Sequence, residues 1–229
     1  MSKPQDGFVS RFLNRPISRL VTRFLLKWPI HPSTWTISIF VLPLVSCIFL
    51  VRGDYASVVI GAALLQLYSI LDGCDGEIAR AKNLESKLGE FLDNFCDLVA
   101  SVLFVIALGF GLHRSGEGIV CGILIAANEW FLAINQTQTS VTSLELYPRH
   151  RRMVEHSGLV HLGDRFVSWI MQLTKRDVAI LFFFLLALAN RAAWILHVWL
   201  AVASVSLILS GVAVLRSGTR HGGVTAPRP

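Results

Sequence analysis

LDGCDGEIARAKNLESKLGEFLDNFCD, residues 71–97, puts four aspartates where apolar sequence gives way to charge. Asp72 and Asp75 close one long hydrophobic run, and Asp93 and Asp97 open the next. Acids at the ends of membrane-crossing helices are costly to hold there, and the default reading of such residues is functional. The chain on either side decides whether these runs are spans and which way the acids face.

The whole sequence is apolar enough for that setting. Of its 229 residues 53% are hydrophobic and only 16% charged, with a mean hydropathy of +0.58, so it reads as an all-α integral membrane protein rather than a soluble domain. The net charge of +6 would suggest nucleic acid in a soluble protein. Here the basic residues fall in short segments between apolar runs, as topology signals do, so no nucleic-acid partner is expected. Cys47, Cys74, Cys96 and Cys121 lie in or beside apolar runs, with no CxxC pair and no histidine at zinc-finger spacing. They read as small buried thiols.

Upstream of the acids, apolar residues from Phe8 to Trp28 recur at helical spacing with Arg11, Arg15, Arg19, Arg23 and Lys27 between them. That pattern predicts an amphipathic helix in the membrane interface, or else one packed on a partner. No removable leader is expected, because the first long apolar run starts only after Ser33 and no small-residue cleavage site follows. His31 and Pro32 break the helix, and Ser33 or Thr34 can cap the next. A first span is predicted to about Val51 and a second from Tyr55 into the acids, its helix continuing to Lys82. The third runs from Leu88 to about Leu112, and a fourth from Gly118 to about Asn135, interrupted by Asn128 and Glu129. After the polar interval 136–176, with a short apolar helix at 166–173, come a fifth span at 177–189 and a sixth at 192–215. The domain plan is therefore an arm and interfacial helix over 1–32, a six-span catalytic unit over 33–215 and a disordered tail over 216–229. Of the 21 Lys and Arg residues, 18 fall on the side of both termini and the acidic stretch and 3 on the other. This bias predicts that side to be cytoplasmic.

Within the opening stretch, residues three or four apart share a helix face. Asp72, Asp75, Gly76, Ala79 and Arg80 form one stripe, and Gly89, Asp93 and Asp97 another. Facing each other in an antiparallel hairpin, the stripes would converge four acids that could not all stay ionised unaided. Oxygen-only ligands favour a hard cation such as Mg²⁺, Mn²⁺ or Ca²⁺, and the number of acids allows two ions, an arrangement suited to a pyrophosphate. The small residues either admit a ligand to the backbone or pack helices together. Arg80 pairs either with a ligand phosphate or with one of the acids, and Glu77, Glu85 and Glu90 read as solvated or supporting groups. Asp97 could serve as a general base.

The full pattern, Asp72-x2-Asp75-Gly76-x2-Ala79-Arg80-x8-Gly89-x3-Asp93-x3-Asp97, resembles the signature of the CDP-alcohol phosphotransferase family at every fixed position and gap. The resemblance implies transfer of a substituted phosphoryl group from a CDP-linked donor to an acceptor alcohol, with release of CMP. It implies Asp72, Asp75, Asp93 and Asp97 as ligands of Mg²⁺ or Mn²⁺, two ions in all, with Asp97 also the base. Gly76, Ala79, Arg80 and Gly89 would line the CDP site. The family's Pro-Asn-x-x-Thr-like entry reads Pro32-Ser33-Thr34-Trp35-Thr36 here, so Thr36 fits, as a further residue implied for CDP binding, and Ser33 departs. The resemblance further implies a homodimer in the lipid bilayer. The wording LDGCDGEIAR is nearest the inositol-phosphate branch, which includes di-myo-inositol phosphate phosphate synthases. A phosphorylated acceptor would need cations, for which Arg165 and Arg176, each beside an aspartate at an apparent helix edge, are the candidates. The other arginines of that interval, and His150, His156 and His161, read as topology charges and ordinary loop residues. The competing reading is a cation transporter, which would spread its acids along the depth of the bilayer.

Overall fold

The structure, a computed structural model, describes residues 9–137 and 176–221, except for the side chains of 131–137 and 209–221. Among these residues all regular structure is helical, with no strand. A π-helical turn, Ser10–Asn14, leads into α1 (Arg15–Leu25), followed by α2 (Pro32–Ile39), α3 (Val41–Arg52), α4 (Tyr55–Lys82), α5 (Lys87–Gly111), α6 (Ser115–Thr137), α7 (Arg176–Leu188) and α8 (Ala193–His221). Among the described residues three stretches are long and apolar enough to cross a membrane: Pro32–Arg52, Tyr55–Lys82 and Lys87–Gly111. The chain is a membrane protein.

α1 turns its polar residues inward. Asn14, Ser18 and Thr22 are buried with Leu25, while Phe12, Ile17, Leu20, Phe24 and Trp28 are exposed. The expected break before the first span is present, but its cap is His31, whose Nδ1 accepts the Ser33 N–H at 3.3 Å. Pro32 suits the first helical position because it has no N–H to leave unbonded there, so the helix starts before Ser33 or Thr34 could cap it. The first span is also not one unbroken helix. Pro43 has no N–H for the carbonyl of Ile39, and the chain breaks at Phe40 between α2 and α3.

The α3–α4 turn depends on Gly53, which has φ +73° and lies so near the Gly111 carbonyl that a Cβ would collide with it. Asp54 then caps α4 by accepting the Ser57 N–H at 3.0 Å, and that bond holds its carboxyl below the ordinary range. α4 has 28 residues. At 1.5 Å per residue it is about 42 Å long, about 12 Å more than a hydrocarbon core. Asn83, with φ +55°, ends it, and Ser86 caps α5 by accepting the Gly89 N–H at 3.0 Å.

The core that fixes these helices lies away from the acids. Phe104 of α5 is its centre, with ring centroids 4.7 Å from Phe183 of α7 and 5.7 Å from Trp199 of α8. Leu50, Leu65, Leu108 and Leu196 close around it. Backbones touch where α5 meets α6, since a Cβ on Gly109 would stand 2.8 Å from the Cα of Gly118. Such small-residue contact is how helices associate where lipid removes the hydrophobic drive between them. α6 passes through Asn128 and Glu129 without interruption, and Ser206 of α8 donates to Asn128 Oδ1 at 3.2 Å. α8 also continues to His221, past the expected end of the span at 215 and into the predicted tail. No proline intervenes before that point to stop it.

Candidate functional site

Three of the four acids meet. Asp72 from α4 and Asp93 and Asp97 from α5 each offer a carboxylate oxygen, and these atoms lie within 4.8 Å of one another. The spacing explains why: Asp93 and Asp97 are one turn apart on α5 and project together toward α4. Asp75 reaches the group through Asp93, whose carboxylate its own meets, and has further partners on α2 and α4. Its Oδ2 lies 2.8 Å from Thr36 Oγ1, and its Oδ1 accepts the N–H of Gly76. Thr36 is buried and its hydroxyl also lies 3.2 Å from the Pro32 carbonyl, so one proton serves the two acceptors in turn.

Among the described residues the cation that reaches the acids is Arg176, at the start of α7. Its Nη2 donates to Asp72 Oδ2 at 2.8 Å, and its Nη1 pairs with Asp97 Oδ1. The guanidinium carbon stands 5.7 Å from the centroid of the Tyr68 ring. Tyr68 in turn donates its hydroxyl to Asp97 Oδ1 at 2.9 Å. Tyr68 was not singled out from the sequence, although it stands one turn before Asp72 on the same stripe. In an apolar helix a tyrosine is most simply a packing residue, and only the position of Asp97 reveals the hydroxyl's use.

One guanidinium does not satisfy this cluster. Asp72 Oδ1 and Asp93 Oδ1 are buried and accept no hydrogen bond. Buried carboxylate oxygens are rarely left so, and the ordinary partner for several of them together is a hard cation. The residues present therefore fit a divalent metal, with Asp72, Asp93 and Asp97 nearest to one another and Asp75 one turn away along α4.

The small residues of the motif lie beside these acids. Gly76 lets Arg80 fold back against the helix, where a Cβ would stand 3.3 Å from Nη1. Arg80 pairs with no acid among the described residues, which removes one of the two partners open to it. Ala79 is half-buried on the same stripe. A Cβ on Gly89 would stand 3.1 Å from Ser86 Oγ and 3.8 Å from Ser33 Oγ, so the departing residue of the entry sequence faces a motif glycine. Glu85 and Glu90 are exposed. Glu77 is not solvated: it is enclosed on the opposite side of α4, where Arg15, Ser18 and Thr22 all reach it. Helical spacing turned it away from the acids, and the helix that covers it there could not be seen from spacing alone. Arg149, Arg151, Arg152 and Arg165, the three loop histidines and the short helix expected at 166–173 fall outside the described residues.

The sequence model of the CDP-alcohol phosphatidyltransferases matches residues 30–209. The bifunctional IPC transferase and DIPP synthase of Aquifex aeolicus is 37% identical over 112 residues, covering 49% of this chain and 25% of the relative. The protein of the same name from Thermococcus kodakarensis is 39% identical over 105 residues, covering 46% and 23%. That of Archaeoglobus fulgidus is 27% identical over 210 residues, covering 92% and 39%. The chain thus spans well under half the length of these relatives.

Proposed function

The chain belongs to the CDP-alcohol phosphatidyltransferase family, and from that membership we propose that it moves a substituted phosphoryl group from a CDP-linked alcohol to an acceptor hydroxyl and releases CMP. The observation that carries this reading is the convergence of Asp72, Asp93 and Asp97 with buried, unbonded carboxylate oxygens, beside a face kept small by Gly76, Ala79 and Gly89.

In the proposed reaction the acceptor oxygen forms a bond to the phosphorus that bears the donor alcohol, and the pyrophosphate bond to CMP breaks. Asp97 takes the hydroxyl proton. Its Oδ1 is held by the Tyr68 hydroxyl, which orients the carboxylate for that transfer. Asp72, Asp75, Asp93 and Asp97 would hold Mg²⁺ or Mn²⁺, two ions by the number of acids, with Thr36 steadying Asp75. When bound, the cations neutralise the pyrophosphate and the leaving group. Gly76, Ala79, Arg80 and Gly89 receive the CDP moiety, with Arg80, which pairs with no acid among the described residues, meeting a phosphate. Arg176, already beside Asp97, binds a phosphate on the acceptor together with Arg165.

The shared name of the relatives favours an inositol phosphate acceptor, with CDP-inositol or CDP-diacylglycerol as donor. The membrane reading extends to six spans, both termini and the site on the cytoplasmic side, and a homodimer. The proposed division is an arm over 1–32 and a catalytic unit over 33–215, with α8 carrying the chain on as helix to His221. The exposed Ile17, Leu20 and Phe24 of α1, with Leu13 just before it, support its placement in the membrane interface, with Arg19, Arg23 and Lys27 toward the headgroups. No observation favours the transporter reading.

The test is release of CMP from CDP-diacylglycerol and from CDP-inositol by the purified protein in lipid, with inositol, inositol phosphate and glycerol phosphate as acceptors. Turnover that needs Mg²⁺ or Mn²⁺ and stops with EDTA is expected. Failure to turn over any CDP-linked donor would defeat the proposal.

A further inference from the structure

The acid-bearing half of α4 faces a cluster of like charge, and the helices packed along α4 are α1, α2, α3 and α7. Of these, α1 lies behind the acids, and its hold is polar. Glu77 Oε1 accepts from Arg15 Nη1 at 3.3 Å and from Ser18 Oγ at 3.1 Å, and Oε2 accepts from Thr22 Oγ1 at 2.8 Å. All three donors belong to α1, and the Glu77 side chain is only 13% exposed.

Neighbouring contacts continue the seam. Asn14 Nδ2 donates to Ser69 Oγ at 3.1 Å, and Gln66 Nε2 donates to Asn14 Oδ1 at 3.3 Å. Arg15 also reaches the Gly73 carbonyl at 3.4 Å, and the buried Cys74 thiol lies 3.5 Å from the Ser18 carbonyl. Glu77 follows Asp72 by five residues and Asp75 by two. At 3.6 residues per turn it points about 140° and about 200° around the axis from them, away from the site.

We propose that Glu77 is a positioning residue: its carboxylate clamps α1 to the back of α4 and so fixes the segment carrying Asp72 and Asp75 where metal binding requires it. Arg176 draws α4 and α5 together through Asp72 and Asp97, but to hold metal the acids must all ionise, and their mutual repulsion then pushes that segment away from α5. A carboxylate with three donors on a neighbouring helix opposes this push from behind, and hydrogen bonds to a charged acceptor are the stronger kind. Glu77 touches neither metal nor substrate, so its effect on them passes through the helix. The inference rests on the metal reading of the site given above.

The test uses the full chain in lipid nanodiscs, with Cys47, Cys96 and Cys121 replaced by alanine so that maleimide reports on Cys74 alone, and with Mn²⁺ affinity measured by titration. Glu77→Leu should make Cys74 reactive and weaken Mn²⁺ binding by about tenfold, the lower end of what loss of a ligand-orienting partner costs. Glu77→Gln keeps the shape and most of the hydrogen bonds and should stay near wild type in both. If Glu77→Leu does not fold because the Arg15 charge loses this carboxylate, the double change Arg15→Met with Glu77→Met removes both charges and carries the same expectation. A reactive Cys74 with unchanged Mn²⁺ affinity would overturn the positioning role and leave only a structural one. A Cys74 that stays protected would overturn the clamp itself. Wild-type protein that takes up no Mn²⁺ would overturn the metal reading and this inference together, whereas unchanged affinity in the variants overturns this inference alone.

Discussion

Arg176 Nη2 and Asp72 Oδ2 lie 2.8 Å apart, an ion pair between residues 104 positions apart that brings the start of α7 onto the acids of α4. The same guanidinium pairs with Asp97 of α5, so one cation joins both acid-bearing helices. A divalent ion at the acids and Arg176 are then competitors for the same oxygens. Binding of metal should release the guanidinium toward the acceptor.

The first prediction follows from that competition. Arg176→Ala should bind Mn²⁺ at least as tightly as wild type, because a rival cation is gone. Without metal it should melt at a lower temperature, and Mn²⁺ should restore more of its stability than in wild type, since a ligand that binds only the folded state stabilises it. With a phosphorylated acceptor its KM should rise by about tenfold or more, the effect of losing a charge-assisted hydrogen bond. Weaker Mn²⁺ binding in this variant would show that Arg176 supports the metal instead of competing with it.

Tyr68→Phe removes one hydroxyl and leaves the ring under Arg176. Asp97 Oδ1 then loses the donor at 2.9 Å that orients it. kcat should fall by roughly tenfold, consistent with ~1.4 kcal/mol for a buried hydrogen bond made to a charged group. CDP affinity should hardly change, because the tyrosine does not lie among the small residues of the CDP side. Initial rates at saturating donor and acceptor separate the two quantities, and an unchanged kcat would remove Tyr68 from the proposed chemistry.

These residues also mark how far the sequence could be read. The periodicity of Asp72, Asp93 and Asp97 was sufficient to bring them together, because three carboxylates at helical spacing on the two arms of a hairpin have few other arrangements. Asp75 shared that periodicity and does reach Asp93, but its second contact, to the Thr36 hydroxyl of α2, depends on a helix whose packing follows from the break before Pro43. Tyr68 and Glu77 were opaque for a different reason. Each takes its meaning from a partner on another helix, Asp97 for one and α1 for the other, and intrahelical spacing says nothing of which helix lies behind. Arg176 stood out in the sequence as a candidate cation for an acceptor phosphate, beside an aspartate at a helix edge, and not as a partner of the acids. Its approach to the acids comes from α7 packing on α4.

A structural prediction concerns the end of the molecule away from the acids. Gly53→Ala must place a Cβ against the Gly111 carbonyl while keeping φ at +73°. A non-glycine residue held in that conformation costs ~1–3 kcal/mol, and the collision adds to it. Thermal unfolding in detergent should show a clear loss of stability. Because the site lies at the other end of α4, the KM values of the protein that remains folded should be close to those of wild type. A melting temperature equal to wild type would mean that the turn can rearrange.

The proposed division of labour among the acids is tested by two asparagine substitutions. Asp72→Asn removes charge from an oxygen cluster in which Asp72 Oδ1 already lacks a hydrogen-bond donor, so Mn²⁺ affinity and turnover should fall together. Asp97→Asn leaves Asp72, Asp75 and Asp93 in place but cannot take up the acceptor proton. Its turnover should drop by about 10²–10⁴-fold, the usual worth of a general base, while CDP and Mn²⁺ binding persist. The comparison is informative because Arg176 pairs with both residues, so loss of that ion pair is common to the two variants and cannot account for a difference between them. Full activity in Asp97→Asn would take the base away from Asp97, and equal losses of Mn²⁺ affinity in both variants would make it a metal ligand before anything else.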